Sequence, residues 1–182
     1  MKKLLLNSSL LAFSAMPLAV VACNKEKEKP TPQPETPKDK YEGGFKEVNI
    51  TDQKLTKVEN YKIEIVHEKK GEELLNLLKS NAYNGQTQVS FDRVGKQFTI
   101  KQESTYVPVF KITNESLGEW QFVDGDKPVR YSKSKGQHQA NSFIPTVFDD
   151  VKKTVTIKVK LFSFKNKQIS DVTLTFVIDL TK

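Results

Sequence analysis

VKKTVTIKVKLFSFKNKQISDVTLTFVIDLT, residues 151–181, is the stretch on which the fold turns. Val155, Ile157, Val159 and Leu161 fall on odd positions, whereas Val172, Leu174, Phe176, Ile178 and Leu180 fall on even ones. Side chains alternate faces along a strand, so both sets share one face of a hairpin only if the loop has an even residue count. An odd loop without a bulge would turn one strand inside out. With Asn166-Lys167 as the central pair, Leu161 is expected opposite Val172, Val159 opposite Leu174, Ile157 opposite Phe176 and Val155 opposite Ile178. The other face carries Thr156, Lys158, Lys160, Thr173 and Thr175, which suit water, but near the tip it also holds Phe162, Phe164 and Ile169.

A hairpin that is apolar on one side needs a second layer, and the only other apolar supply is the preceding short runs. Tyr61, Ile63, Ile65 and His67 alternate with polar neighbours except for Val66, and Phe98 and Ile100 follow the turn-like Asp92-Arg93-Val94-Gly95. Further runs lie at 45–50, 89–91, 106–112, 120–123 and 143–148, with Asp124-Gly125-Asp126 and Asp149-Asp150 as turns between them. Seven to nine strands are therefore expected, in a mainly β, antiparallel two-layer sandwich of immunoglobulin-like or fibronectin-like kind. One short helix is expected at Glu72–Ser80, where Leu74, Leu75, Leu77 and Leu78 form a stripe with acids ahead and Lys79 behind. The alternative is an α+β fold with that helix on one face of an antiparallel sheet.

The chain ahead of this β-rich block (residues 41–182) has a different character. Lys2 and Lys3 lead into an apolar run from Leu4 to Val21 that ends in Ala22-Cys23. This is the order of a secretory signal peptide, and Pro17 with the serines disfavours a spanning helix. Val20-Val21-Ala22-Cys23 resembles the lipobox of bacterial lipoprotein precursors, and the longer string MKKLL through VVACNK resembles those of mollicutes, wall-less bacteria of low genomic GC. The 27 lysines against two arginines (Arg93 and Arg130) agree with such a genome. The resemblance covers about the first 29 residues. It implies cleavage between Ala22 and Cys23, a diacylglycerol thioether on Cys23 and a location on the extracellular face of the cell membrane. Residues 23–40 then form a linker rich in Pro, Lys and Glu, too poor in apolar side chains to fold alone, which sets the block off from the bilayer.

Chemistry is sparse. The two histidines, His67 and His138, show no metal-ligand spacing, and His67 reads as a solvated strand edge. Cys23 is the only cysteine, and the serines lie outside G-x-S-x-G and S-x-x-K contexts. Asp124-Gly125-Asp126 lacks the rest of a calcium loop and reads as a turn. No catalytic residue, metal or cofactor is therefore expected. Residues 41–182 carry 22 basic against 18 acidic side chains, a modest +4, and arginine is nearly absent, which disfavours nucleic acid or another polyanion as partner. The expected role is a non-enzymatic interaction or antigen module that meets a host or membrane protein, with Phe162, Phe164 and Ile169 as the candidate apolar contact. A small lipid-anchored enzyme of nuclease type, or an accessory subunit of a transporter, is the alternative.

Overall fold

In the computed structural model, residues 40–83, 85–114 and 117–182 are described; Ala22, Cys23 and nearly all of the linker lie outside them. The mainly β expectation holds. The strands are β1 (Lys46–Val48), β2 (Ile63–Ile65), β3 (Ala82–Tyr83), β4 (Gln86–Asp92), β5 (Gln97–Gln102), β6 (Thr105–Ile112), β7 (Trp120–Asp124), β8 (Val129–Ser132), β9 (Gln137–Ala140), β10 (Phe143–Asp149), β11 (Thr154–Ser163) and β12 (Gln168–Asp179). Two helices accompany them, the single turn α1 (Gln53–Thr56) and α2 (Gly71–Ser80).

The two layers are not separate sheets. One ten-stranded path runs β1-β12-β11-β10-β4-β5-β6-β2, with β3 added beside β4 and β7 beside β11, and β8 and β9 form a second, small sheet. The continuity comes from β10, whose residues Phe143–Pro145 pair with β4 while Thr146–Asp149 pair with β11. The ten-residue β11 is long enough to take β10 and then β7 along the same side. Curling brings the two halves face to face. Phe122 of β7 and Phe98 of β5 stack with their centroids 5.8 Å apart, and Phe176 of β12 lies 5.6 Å from Phe122. One pair, β1 with β12, is parallel, so the sheet is not purely antiparallel.

The C-terminal hairpin shows why the parity expectation succeeds and where it stops. Val155 faces Ile178, Ile157 faces Phe176 and Val159 faces Leu174, all on the core side. Beyond Lys160–Thr173 the register shifts: β11 advances two residues to Phe162 while β12 advances four to Ile169. Leu161 therefore does not meet Val172. A shift by an even number of residues keeps every side chain on its face. The bulge leaves the Leu161 N–H without a backbone partner, and the Ser170 hydroxyl accepts it at 2.9 Å while donating to Val172 O at 2.8 Å. The tip closes through Phe164–Lys167, an even loop of four.

Helix α2 forms as its stripe requires. Leu74, Leu75 and Leu78 are buried in the main core, and Glu72 and Lys79 pair with Lys153 and Asp150 of the β10–β11 turn. The 125–142 segment does not simply run over the surface. Val129 and Ala140 of the β8–β9 hairpin pack, with Tyr41, on a second small core of Phe45, Val123, Phe162 and Ile169.

Candidate functional site

That second core decides the fate of the expected contact patch. Phe162 is 1 % exposed and Ile169 fully buried, because the β8–β9 hairpin and the Tyr41–Phe45 segment cover the face that the sequence leaves open. Phe162 packs on Phe45 with centroids 5.7 Å apart. Only Phe164, at 70 %, is exposed, so the three residues do not form an exposed apolar patch. Trp120 is half-buried against the main core and Phe122 lies at its centre.

Lys160, expected among the solvent-facing lysines, is buried as well. Its Nζ donates to Glu47 Oε1 (3.2 Å) and to the bulge carbonyls of Ser170 (2.9 Å) and Asp171 (3.0 Å). Glu47 also accepts from Lys40 and from Tyr41 Oη. Burial works to raise the Glu47 carboxyl, but the hydrogen bonds from Lys40, Tyr41 and Lys160 outweigh it and hold it below the ordinary range. Burial, reinforced by the bond to Glu47, pushes the Tyr41 phenol up to about 12. This network staples β1 to the hairpin and is structural.

The histidines are engaged apart from each other. His67 is buried rather than solvated, its Nδ1 accepting from Lys69 N at 3.0 Å. His138 pairs with Glu42 at 2.6 Å and meets the Tyr131 ring edge-on. Among the described residues no group of three His, Cys, Asp or Glu side chains is placed to hold a metal ion.

The site that does emerge is a groove of about 620 Å³, of the size that takes a small ligand. Its floor is the outer face of the sheet. Because Val89 and Phe91 of β4 point inward, Gln86, Gln88 and Ser90 point outward, beside Thr99 and Lys101 of β5 and Phe143 and Pro145 of β10. Its other wall is the β8–β9 hairpin. With Val129 turned into the second core, the alternation of the strand turns Arg130 toward the groove. Tyr106, Glu103 and Lys127 complete the rim.

Asp124 and Asn141 fix the hairpin at its base. Asp124 N donates to Asn141 O (2.8 Å), Asn141 N donates to Pro128 O (2.8 Å), and Asn141 Nδ2 reaches both Asp124 Oδ2 (3.2 Å) and Lys127 O (3.0 Å). Asp124 Oδ1 accepts from Asp126 N at 2.9 Å, so Asp124-Gly125-Asp126 is the expected turn, and its first carboxylate is a buried latch. Burial raises the Asp124 carboxyl above its ordinary value, against the hydrogen bonds of the turn. Gly125 is dictated by close approach: a Cβ there would lie 3.0 Å from the β11 backbone at Lys158 and Val159.

Arg130 is the odd member of this polar set. Its guanidinium lies 4.7 Å over the Phe143 ring, and its Nε is buried without a hydrogen-bond partner. Leaving a donor desolvated and unmade costs about 1–3 kcal/mol. Neither it nor Lys101 nor Lys127 has a carboxylate within ion-pair distance among the described residues. Sequence reasoning passed over Arg130; its rarity, one of two arginines against 27 lysines, was the available signal. No protein-family model, curated protein or solved structure matches the chain.

Proposed function

We propose that this chain is a surface lipoprotein, held to the membrane through acylated Cys23, whose β domain is a non-enzymatic recognition module. The anchoring half rests on the N-terminal sequence, the charged start, apolar run and Val20-Val21-Ala22-Cys23. The recognition half rests on one observation. A ligand-sized polar groove holds an arginine whose Nε is buried and unpartnered, while both histidines make structural contacts elsewhere and neither lines the groove. A groove that offers outward Gln, Ser and Thr side chains and three cations without ion-pair partners among the described residues suits holding a polar ligand.

Two measurements test this. Mass spectrometry of the native N-terminal peptide should find residue 23 first and carrying a diacylglyceryl group, and Cys23→Ser should move the protein from the detergent to the aqueous phase. Proteoliposomes bearing the native chain should adhere to host cells, and Arg130→Gln, with unchanged urea midpoint, should reduce that adhesion several-fold. A native chain that begins at Met1 and partitions into water, or adhesion indifferent to Arg130→Gln, refutes the proposal.

A further inference from the structure

The geometry points to a ligand class for this groove: a hydroxyl-rich monoanion, an acidic sugar of hexuronate type, with its carboxylate on Arg130 and its hydroxyls on the sheet floor. This inference rests on the recognition reading above and deepens it. The anionic part follows from Arg130. Phe143 supports one face of its guanidinium, and the planar fork presents donors in the spacing that a carboxylate accepts two at a time. Nε itself is closed off beneath the guanidinium, so the carboxylate is taken by the outer nitrogens Nη1 and Nη2, which face the groove side of the fork.

The hydroxyl-rich part follows from the floor. Gln86, Gln88 and Ser90 are neutral and can both donate and accept, the Thr99 hydroxyl, which donates to Ser90 O at 3.2 Å, can still accept, and no buried aliphatic side chain lines the groove. A fatty or purely aromatic ligand would desolvate these groups without pairing them. The three cations of the groove, Arg130, Lys101 and Lys127, exceed its two carboxylates, Glu103 and Asp124, by one charge, which suits a monoanion over a polyanion. One negative charge among many hydroxyls satisfies all of these terms together.

The test uses the full chain carrying Cys23→Ser, labelled with ¹⁵N, so that the Arg130 Nε–H signal reports on what its guanidinium holds. The probes are glucuronate, glucose and acetate. Glucuronate should shift that signal saturably, with glucose and acetate each at least about tenfold weaker, as loss of one charge-assisted hydrogen bond or of the hydroxyl contacts requires. Arg130→Gln, followed through the backbone amide signals of Ser90 and Thr99 on the groove floor, should remove the preference for glucuronate over glucose. Should that variant lose its cooperative unfolding, Lys101→Gln, exposed on β5, should still weaken glucuronate about threefold.

Acetate binding as tightly as glucuronate would overturn the hydroxyl assignment, and glucose matching glucuronate would overturn the anionic one. A signal unmoved by all three probes overturns both. Adhesion that depends on Arg130 but is not competed by glucuronate would refute the ligand class while leaving the recognition module standing.

Discussion

Phe162 and Phe164 are two residues apart in one strand-to-turn segment, yet truncating them should have very unequal consequences. Phe162 is fully enclosed by Phe45, Val123 and Ile169, with the β8–β9 hairpin above it. Replacing it with alanine removes a buried aromatic side chain that the surrounding elements cannot collapse around, a change worth about 3–5 kcal/mol. A domain of this size is stable by about 5–15 kcal/mol, so the loss is a large fraction of the total. At a urea slope of about 2 kcal/mol per molar, the midpoint falls by roughly 2 M. Phe164 is 70 % exposed, and its one ring contact is edge-on to Phe162 at 6.2 Å. Phe164→Ala should therefore cost less than about 1 kcal/mol. Urea titration followed by the fluorescence of Trp120, the sole tryptophan and the partner of Ser163 across β7–β11, reads both. A Phe162→Ala loss under 1 kcal/mol, or one no larger than that of Phe164→Ala, would refute the existence of the second core.

Three other outcomes follow from the same packing. Lys160→Met leaves two bulge carbonyls and Glu47 short of a donor in a buried setting, and should cost about 3 kcal/mol by denaturant titration. Glu47 titrates below its ordinary 4.5, so its stabilisation is complete above that value and is lost as pH falls through the lower folded-state value. Asp124, raised by burial, acts oppositely and regains stability as pH falls through its elevated value, so Glu47→Gln should flatten the acid limb of a stability–pH curve whereas Asp124→Asn should steepen it. Gly125→Ala forces a methyl against the β11 backbone at 3.0 Å and should cost about 1–3 kcal/mol, seen as a lowered melting temperature.

The hairpin was legible because a period-two apolar pattern over residues 155–161 on one side and 172–180 on the other leaves only one parity, and α2 because four leucines share a stripe between charges of the right order. The bulge at Ser170–Val172 was not legible. A shift of two residues preserves the pattern by which register is read, and the compensating hydroxyl of Ser170 looks like any strand serine. Phe162 and Ile169 stand in the sequence as candidate contacts, open also to cover by a loop, because what buries them, Tyr41–Phe45 and the β8–β9 hairpin, is distant in sequence and polar in composition. Lys160 was misjudged for the same reason, since its partner Glu47 lies 113 residues away. The groove depends on Arg130 being turned outward by Val129's burial, a tertiary fact with no local signature.

The parallel strand β1 gives the fold a mechanical side. A pull on the chain ahead of Lys40 enters the domain through Lys46–Val48, three residues laid beside Gln168–Ser170 at the tip of the longest hairpin. Tyr41 and Phe45, packed in the second core, and Glu47, clasped by Lys40, Tyr41 and Lys160, are the first fixtures to bear such a load. Flow or shear acting at that end meets a small, separately packed fastener before it reaches the aromatic cluster of the main core.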